Sequence, residues 1–273
     1  MGQGKTNCRM VSGKLNSEVV KMSYIMDKIE AKINMGENVL ITVVGDSITY
    51  GLYGAGISDT YCAVLSQRLG FRFPDTKVIR YDGKMSEGSK PLDGYEKPVV
   101  VSEGEKGKIT VVKCGVGGDT VRRALNRKED YIGAFSETGE MPDVFLLMFG
   151  INDSLKSDAS KFIEPEGFKE NLRELTKLLN TENPGADLVF MTPTCGGDGS
   201  SKNDSVDPYA DAMKEHAEET GYMLIDTHKL WMDHLEIGAE HCGQKEWLNH
   251  DPWHYTAAGG IATGNFIFEE LNK

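Results

Sequence analysis

No apolar stretch in this chain of 273 residues approaches the roughly 18 residues needed to span a bilayer, which excludes a membrane-spanning helix. Positive charge is in deficit: 30 Lys and Arg against 42 Asp and Glu give a formal net charge of −12. Nucleic acids and anionic membrane surfaces are both held by basic side chains, so neither partner is expected. Cysteines are few and scattered: Cys8, Cys62, Cys114, Cys195 and Cys242 form an odd set without CxxC spacing. That pattern fits reduced thiols better than a disulfide framework, and no zinc-ligand spacing accompanies it. Met1 to Lys14 is polar and lacks the apolar segment of a secretory signal, so a cytoplasmic protein is expected.

Two motifs are missing as well. There is no GxSxG elbow, which removes the ordinary α/β-hydrolase arrangement. The run Gly115-Val116-Gly117-Gly118-Asp119-Thr120 has threonine where the full GxGxxG fingerprint needs glycine, which disfavours a nucleotide site.

What is present is an alternation of buried strands and helices. Hydrophobic residues make up 39% of the chain, enough for a sizeable core. Val39 to Val44 is an apolar run stopped by Gly45, the mark of a buried strand. Further strands are predicted at Lys77–Tyr81, Ile109–Val112, Asp143–Phe149, Leu188–Met191 and Tyr222–Ile225. Val19, Met22, Ile25, Met26, Ile29 and Ile33 follow the helical period over 17–35, with Ser17 as cap and Gly36 as stop. Other helices are expected from Thr60 to Leu69, closed by Gly70, and from Pro165 with Phe168, Leu172, Leu175 and Leu179 inward. Asp207-Pro208 reads as the start of another helix, which ends at Gly221. A last helix, Thr256 to Leu271, is expected to be interrupted by Gly259, Gly260 and Gly264. The Gly-, Lys- and Glu-rich stretch 82–108 is too long for an ordinary connection and reads as an inserted hairpin or lid. No internal repeat or linker divides the chain, so a single domain over 1–273 is expected. Its class is α/β, with five core strands in a mostly parallel sheet covered on both faces.

Three strand ends carry chemistry. Gly45-Asp46-Ser47 sets a serine just past a strand, where open α/β sheets hold their ligands. Gly115 to Thr120 offers free backbone N–H groups suited to an anion or a developing oxyanion. Gly150-Ile151-Asn152-Asp153 offers a side-chain amide, for which an Asx-turn is the bland alternative. In Asp251-Pro252-Trp253-His254, a carboxylate three residues before a histidine can hold Nδ1 and leave Nε2 to take a proton from a serine. Among the six histidines, His216 lies in a helix beside acidic residues and is expected at the surface. The others lack the spacing of His254.

These four blocks, in this order, resemble the GDSL/SGNH hydrolase superfamily. The resemblance spans residues 45–254 and implies a flavodoxin-like, three-layer α/β/α fold. It implies that Ser47 is the nucleophile, His254 the general base and Asp251 its orienting partner. The oxyanion hole would comprise the backbone N–H groups of Ser47 and Gly118 and the amide of Asn152. No metal or cofactor is implied. The substrate class would be a small-molecule or oligosaccharide ester, with a carbohydrate acetylesterase as the nearest branch. Lysophospholipase or thioesterase activity, or a catalytically silent carbohydrate-binding protein, are the alternatives. Two departures stand out. Lys113 occupies a place often held by Asn, and Trp253 one usually held by a smaller residue. Oligomeric state is not legible.

Overall fold

The apolar run after Asn38 is strand β1 (Asn38–Gly45) in the computed structural model. The structure describes residues 24–52, 58–85, 92–133, 140–194, 203–237, 246–248 and 253–273. Successive β1 side chains enter two different cores: Val39, Ile41 and Val43 one, Leu40 and Val44 the other. A strand buried on both faces has no polar side to show, which is why the run is continuous rather than alternating.

β1 pairs in parallel with β5 (Lys108–Gly115) on one side and β6 (Val144–Met148) on the other. Beyond β6 follow β7 (Asp187–Met191) and β8 (Met223–Ile225), and outside β5 lies β2 (Lys77–Met85), all parallel. Among the described residues six strands are therefore parallel, one more than the five expected. Without β2, the order β5-β1-β6-β7-β8 is the 2-1-3-4-5 winding of flavodoxin-like sheets. β2 is an added strand, and it runs past Tyr81 because its buried charges find partners. Arg80 and Asp82 are 3% and 4% exposed, and the Arg80 Nε–H donates to the Asp82 carboxylate at 3.1 Å.

Of the stretch expected as a hairpin or lid, the described residues from 92 fold back along β2. They contribute β3 (Leu92–Tyr95) and β4 (Val99–Ser102), both antiparallel to β2. Pro98, with no N–H to give a ladder, falls between them.

On one face of the sheet pack α1 (Tyr24–Asn34), α3 (Tyr61–Arg72), α7 (Thr227–Ile237) and α8 (Ala257–Leu271), through residues such as Ile29, Leu65, Trp231 and Ile267. The other face carries α4 (Val121–Leu125), α5 (Pro165–Glu182) and α6 (Asn203–Thr220). In α5 the periodic Phe168, Leu172, Leu175 and Leu179 are all fully buried, as the 3.6-residue repeat requires. No described helix is long and apolar enough to cross a membrane.

Several boundaries differ from the sequence reading. Val19 and Met22 of the predicted first helix lie outside the described residues, and α1 is described from Tyr24. α3 continues through Gly70 to Arg72. α6 starts at Asn203, so Pro208 sits inside it rather than at its first turn. The last helix is uninterrupted. A Cβ at Gly264 would stand 2.6 Å from the Val64 Cβ, and one at Gly260 would stand 2.1 Å from the Asp59 carbonyl. Close packing of α8 on α3 thus offsets the helix cost of glycine, about 1 kcal/mol each.

Candidate active site

The three loops singled out in the sequence leave adjacent strands, β5, β1 and β6, at their carboxyl ends, where the winding reverses direction. After Gly45, Asp46 takes an extended conformation and caps the one-turn helix α2 (Ser47–Tyr50), accepting the Ile48 N–H at 2.8 Å. Ser47 is the first residue of that turn, so its own N–H has no intrahelical partner. α2 lies directly on the end of β5: a Cβ at Gly115 would come within 2.3 Å of the Tyr50 nitrogen.

The Ser47 Oγ is 2.9 Å from the His254 Nε2, across 207 residues of sequence. His254 is set just before the cap of α8. Thr256 accepts the Gly259 N–H there and donates its own backbone N–H to the Trp247 carbonyl at 2.8 Å. The neighbouring Tyr255 stacks on Trp231 at 4.5 Å and bridges to Leu248. Trp253 packs on the core beneath. Asp251 lies outside the described residues.

The glycine turn is tied to the serine turn by the Val116 N–H, which donates to the Gly45 carbonyl at 3.0 Å. Gly118 has φ +71°, and Thr120 caps α4 beyond it. The Gly117 N–H faces the Met85 Sδ at 2.9 Å, while no described residue accepts from the Gly118 N–H. The Gly118 carbonyl is held by the Arg123 guanidinium at 3.1 Å.

Asn152 is buried, and its Nδ2 donates to the Asp46 Oδ2 at 3.2 Å. An amide nitrogen has two hydrogens, so this bond leaves one donor to point elsewhere. Asp46 therefore holds the Ser47 turn with one oxygen and the Asn152 amide with the other. Burial pushes the Asp46 carboxyl up to about 7, against the pull of the Ile48 N–H, and nearby Asp119 adds to the rise. Burial also pushes Asp153 up to about 8, the Val121 N–H opposing it.

The structure brings together Ser47 and His254, and sets Asn152 and the Gly118 turn beside the serine-bearing segment. Sequence reading missed Arg127 altogether. Its Nε–H donates to the Asp119 Oδ2 at 2.8 Å, and its Nη2 to the Gly45 and Cys114 carbonyls at 3.3 and 3.1 Å. An arginine after a short helix carries no motif, so no signal pointed to it. His216 corrects another expectation. It is fully buried, 2.8 Å from the Thr176 Oγ1 and edge-on to Phe190, and burial lowers its pKa to about 4.

A serine hydroxyl on an imidazole nitrogen, with a backbone N–H that has no acceptor among the described residues and a side-chain amide nearby, is suited to acyl transfer. The chain belongs to the GDSL-like lipase/acylhydrolase family, a family of carboxylic ester hydrolases, which matches residues 98–260, more than half its length. The matched span begins after Ser47. An acetylxylan esterase from Geobacillus stearothermophilus is 30% identical over 126 residues, 44% of this chain and 54% of that protein. The match thus spans about half the length of that curated relative. Among solved structures, an acetylxylan esterase from the same organism has a TM-score of 0.61 at 22% identity, covering 88% of this chain and 97% of its own. A peptidoglycan O-acetylesterase gives 0.66 at 12%, covering 92% and 95%. A lipase/acylhydrolase from Enterococcus faecalis gives 0.58 at 19%, covering 86% and 95%. At these identities the likeness is one of fold: a mostly parallel α/β sheet with helices on both faces.

Proposed function

We propose that the protein is a serine esterase that removes short acyl groups, acetyl above all, from a carbohydrate. The observation that carries this reading is the 2.9 Å contact between the Ser47 Oγ and the His254 Nε2 at the carboxyl end of β1. His254 takes the serine proton as Oγ attacks the ester carbonyl, and Asp251 orients the imidazole and stabilises its cationic form. The developing oxyanion accepts from the backbone N–H groups of Ser47 and Gly118 and from the Asn152 amide. Collapse releases the sugar alcohol, which takes the proton from His254. Water activated by the same imidazole then frees the acyl-enzyme. The acetyl and carbohydrate parts of the reading are supported by similarity to the acetylxylan esterase.

Nitrophenyl esters from C2 to C12, beside acetylated xylo-oligosaccharides and pectin fragments, test the substrate. Turnover that peaks at C2 and extends to an acetylated glycan is expected, whereas a peak at long chains would transfer the reading to a lipolytic hydrolase. Ser47→Ala should lose up to about 10⁶-fold in kcat and all labelling by a serine-directed phosphonate. Parental activity in that variant would remove Ser47 from the mechanism. Absence of both turnover and labelling in the parent protein would instead favour a carbohydrate-binding role.

A further inference from the structure

The helix that bears Ser47 is a single turn of four residues. A turn this short has no cooperative stability of its own, so its orientation has to be imposed by its surroundings. Two buried cations reach the two ends of the segment Gly45–Tyr50 that contains it. At the front, the Arg127 Nη2 donates to the Gly45 carbonyl at 3.3 Å and to the Cys114 carbonyl at 3.1 Å. At the back, the Lys113 Nζ donates to the Tyr50 carbonyl at 2.9 Å and lies 5.2 Å from the centre of the Tyr50 ring.

Both cations are anchored behind. Arg127 pairs with Asp119, next to Gly118, at 2.6 Å, and Lys113 stands 3.3 Å from the Asp82 carboxylate, itself held by Arg80. The Lys113 and Arg127 side chains are each 4% exposed. Burying a cation is unfavourable, and an apolar side chain of similar size would fill the same space more cheaply. What a packed apolar side chain cannot do is donate to a carbonyl.

We propose that Lys113 and Arg127 are positioning residues that clamp the segment Gly45–Tyr50 at its two ends, and thereby fix the Ser47 Oγ relative to the Gly118 N–H. This rests on the reading of Ser47 as nucleophile. Neither residue touches the ester. Arg127 does the larger share, because one guanidinium spans the end of β1, the end of β5 and the glycine turn. Its fork geometry is what lysine lacks: an ammonium at 127 keeps the charge but cannot bridge the three sites at once.

The test uses Lys113→Met, Arg127→Lys and Arg127→Gln, with active sites counted by phosphonate labelling before steady-state kinetics on p-nitrophenyl acetate. Displacing a reacting atom by about 1 Å can cost on the order of 10²-fold, so kcat per labelled site should fall about 10- to 100-fold in each, with KM unchanged. The acid limb of the pH–rate profile, set by the imidazole, should not move. Parental kcat per labelled site, with only a lower melting temperature, would overturn the clamp and leave both residues as structural. Parental kcat in Arg127→Lys beside a loss in Arg127→Gln would also overturn it, in favour of charge alone. Where Lys113→Met does not fold, Asp82→Asn loosens the same ammonium, and an unchanged kcat there would count against the proposal. Failure of the parent protein to label at all would strike the nucleophile assignment rather than the clamp.

Discussion

Replacing Asn152 by alanine removes two things at once, and their separate magnitudes make the substitution informative. The first is a donor for the oxyanion, whose loss costs about 10²–10³-fold in kcat, or ~2.7–4 kcal/mol of transition-state stabilisation. The second is the 3.2 Å bond from Nδ2 to the Asp46 Oδ2, in a carboxyl that burial already drives up to about 7. Leaving a buried acceptor without its donor costs ~1–3 kcal/mol of stability. The Asn152 bond is one of the influences that hold the Asp46 carboxyl down, so its loss raises that group further and favours its neutral form. The kinetic loss should appear in kcat with KM little changed, because the donor acts on charge that exists only in the transition state. Phosphonate counting of active sites with p-nitrophenyl acetate kinetics measures the first effect, and urea denaturation the second. Asp46→Asn is the companion: it keeps a capping oxygen for the Ile48 N–H, and so should retain the cap. A fall in kcat below about 10-fold in Asn152→Ala, or a loss carried by KM, would refute the assignment of the amide to the oxyanion.

Two further outcomes follow from buried groups near the site. The folded-state pKa of Asp153, about 8, lies above its ordinary 3.8, so the folded protein holds a proton that the unfolded chain releases. Stability should therefore decline as pH rises from about 4 towards 8. Asp153→Asn should make that decline shallower in urea midpoints measured across the range, the part carried by Asp46 remaining, and an unchanged slope would contradict the burial argument. Gly115→Ala places a methyl within 2.3 Å of the Tyr50 nitrogen and should displace α2, so kcat on p-nitrophenyl acetate should fall at least about 10-fold. Parental kcat would show that α2 tolerates the shift.

β1 and β6 and the loops that follow them were legible because each is a short apolar run ended by glycine, a purely local signal, whereas β5 was legible from Ile109 to Val112 and runs on through the buried Lys113 to Gly115. The fold class followed from the alternation of such runs with helical periods. β2 was legible only as far as Tyr81, since Asp82 read as the start of the polar stretch 82–108 and only the fold shows it paired with Arg80 in the interior. The glycines of α8 read as interruptions because the sequence does not reveal that α3 presses against them. His216 was misplaced for a related reason. Its acidic neighbours Glu215 and Glu219 hold Lys169, while its own ring turns inward to Phe190. The link from Asp46 to Asn152 and the reach of Arg127 join segments far apart in sequence, and nothing local records them. Asp251 lies outside the described residues, so its part in the site stands on the sequence motif and the proposal built on it.

The separation of 207 positions from Ser47 to His254 also sets the order of events during synthesis. β1 emerges early, yet its two sheet partners begin at Lys108 and Val144, and the imidazole arrives only with the segment leading into α8. Contacts so distant in sequence are slow to form, because the intervening chain must be ordered first. A nascent chain paused anywhere before His254 therefore carries its serine without a base. Ester turnover in a translation extract should lag behind synthesis of β1 and appear only after the segment through α8 has been made, so that activity reports the assembled fold rather than the mere presence of Ser47.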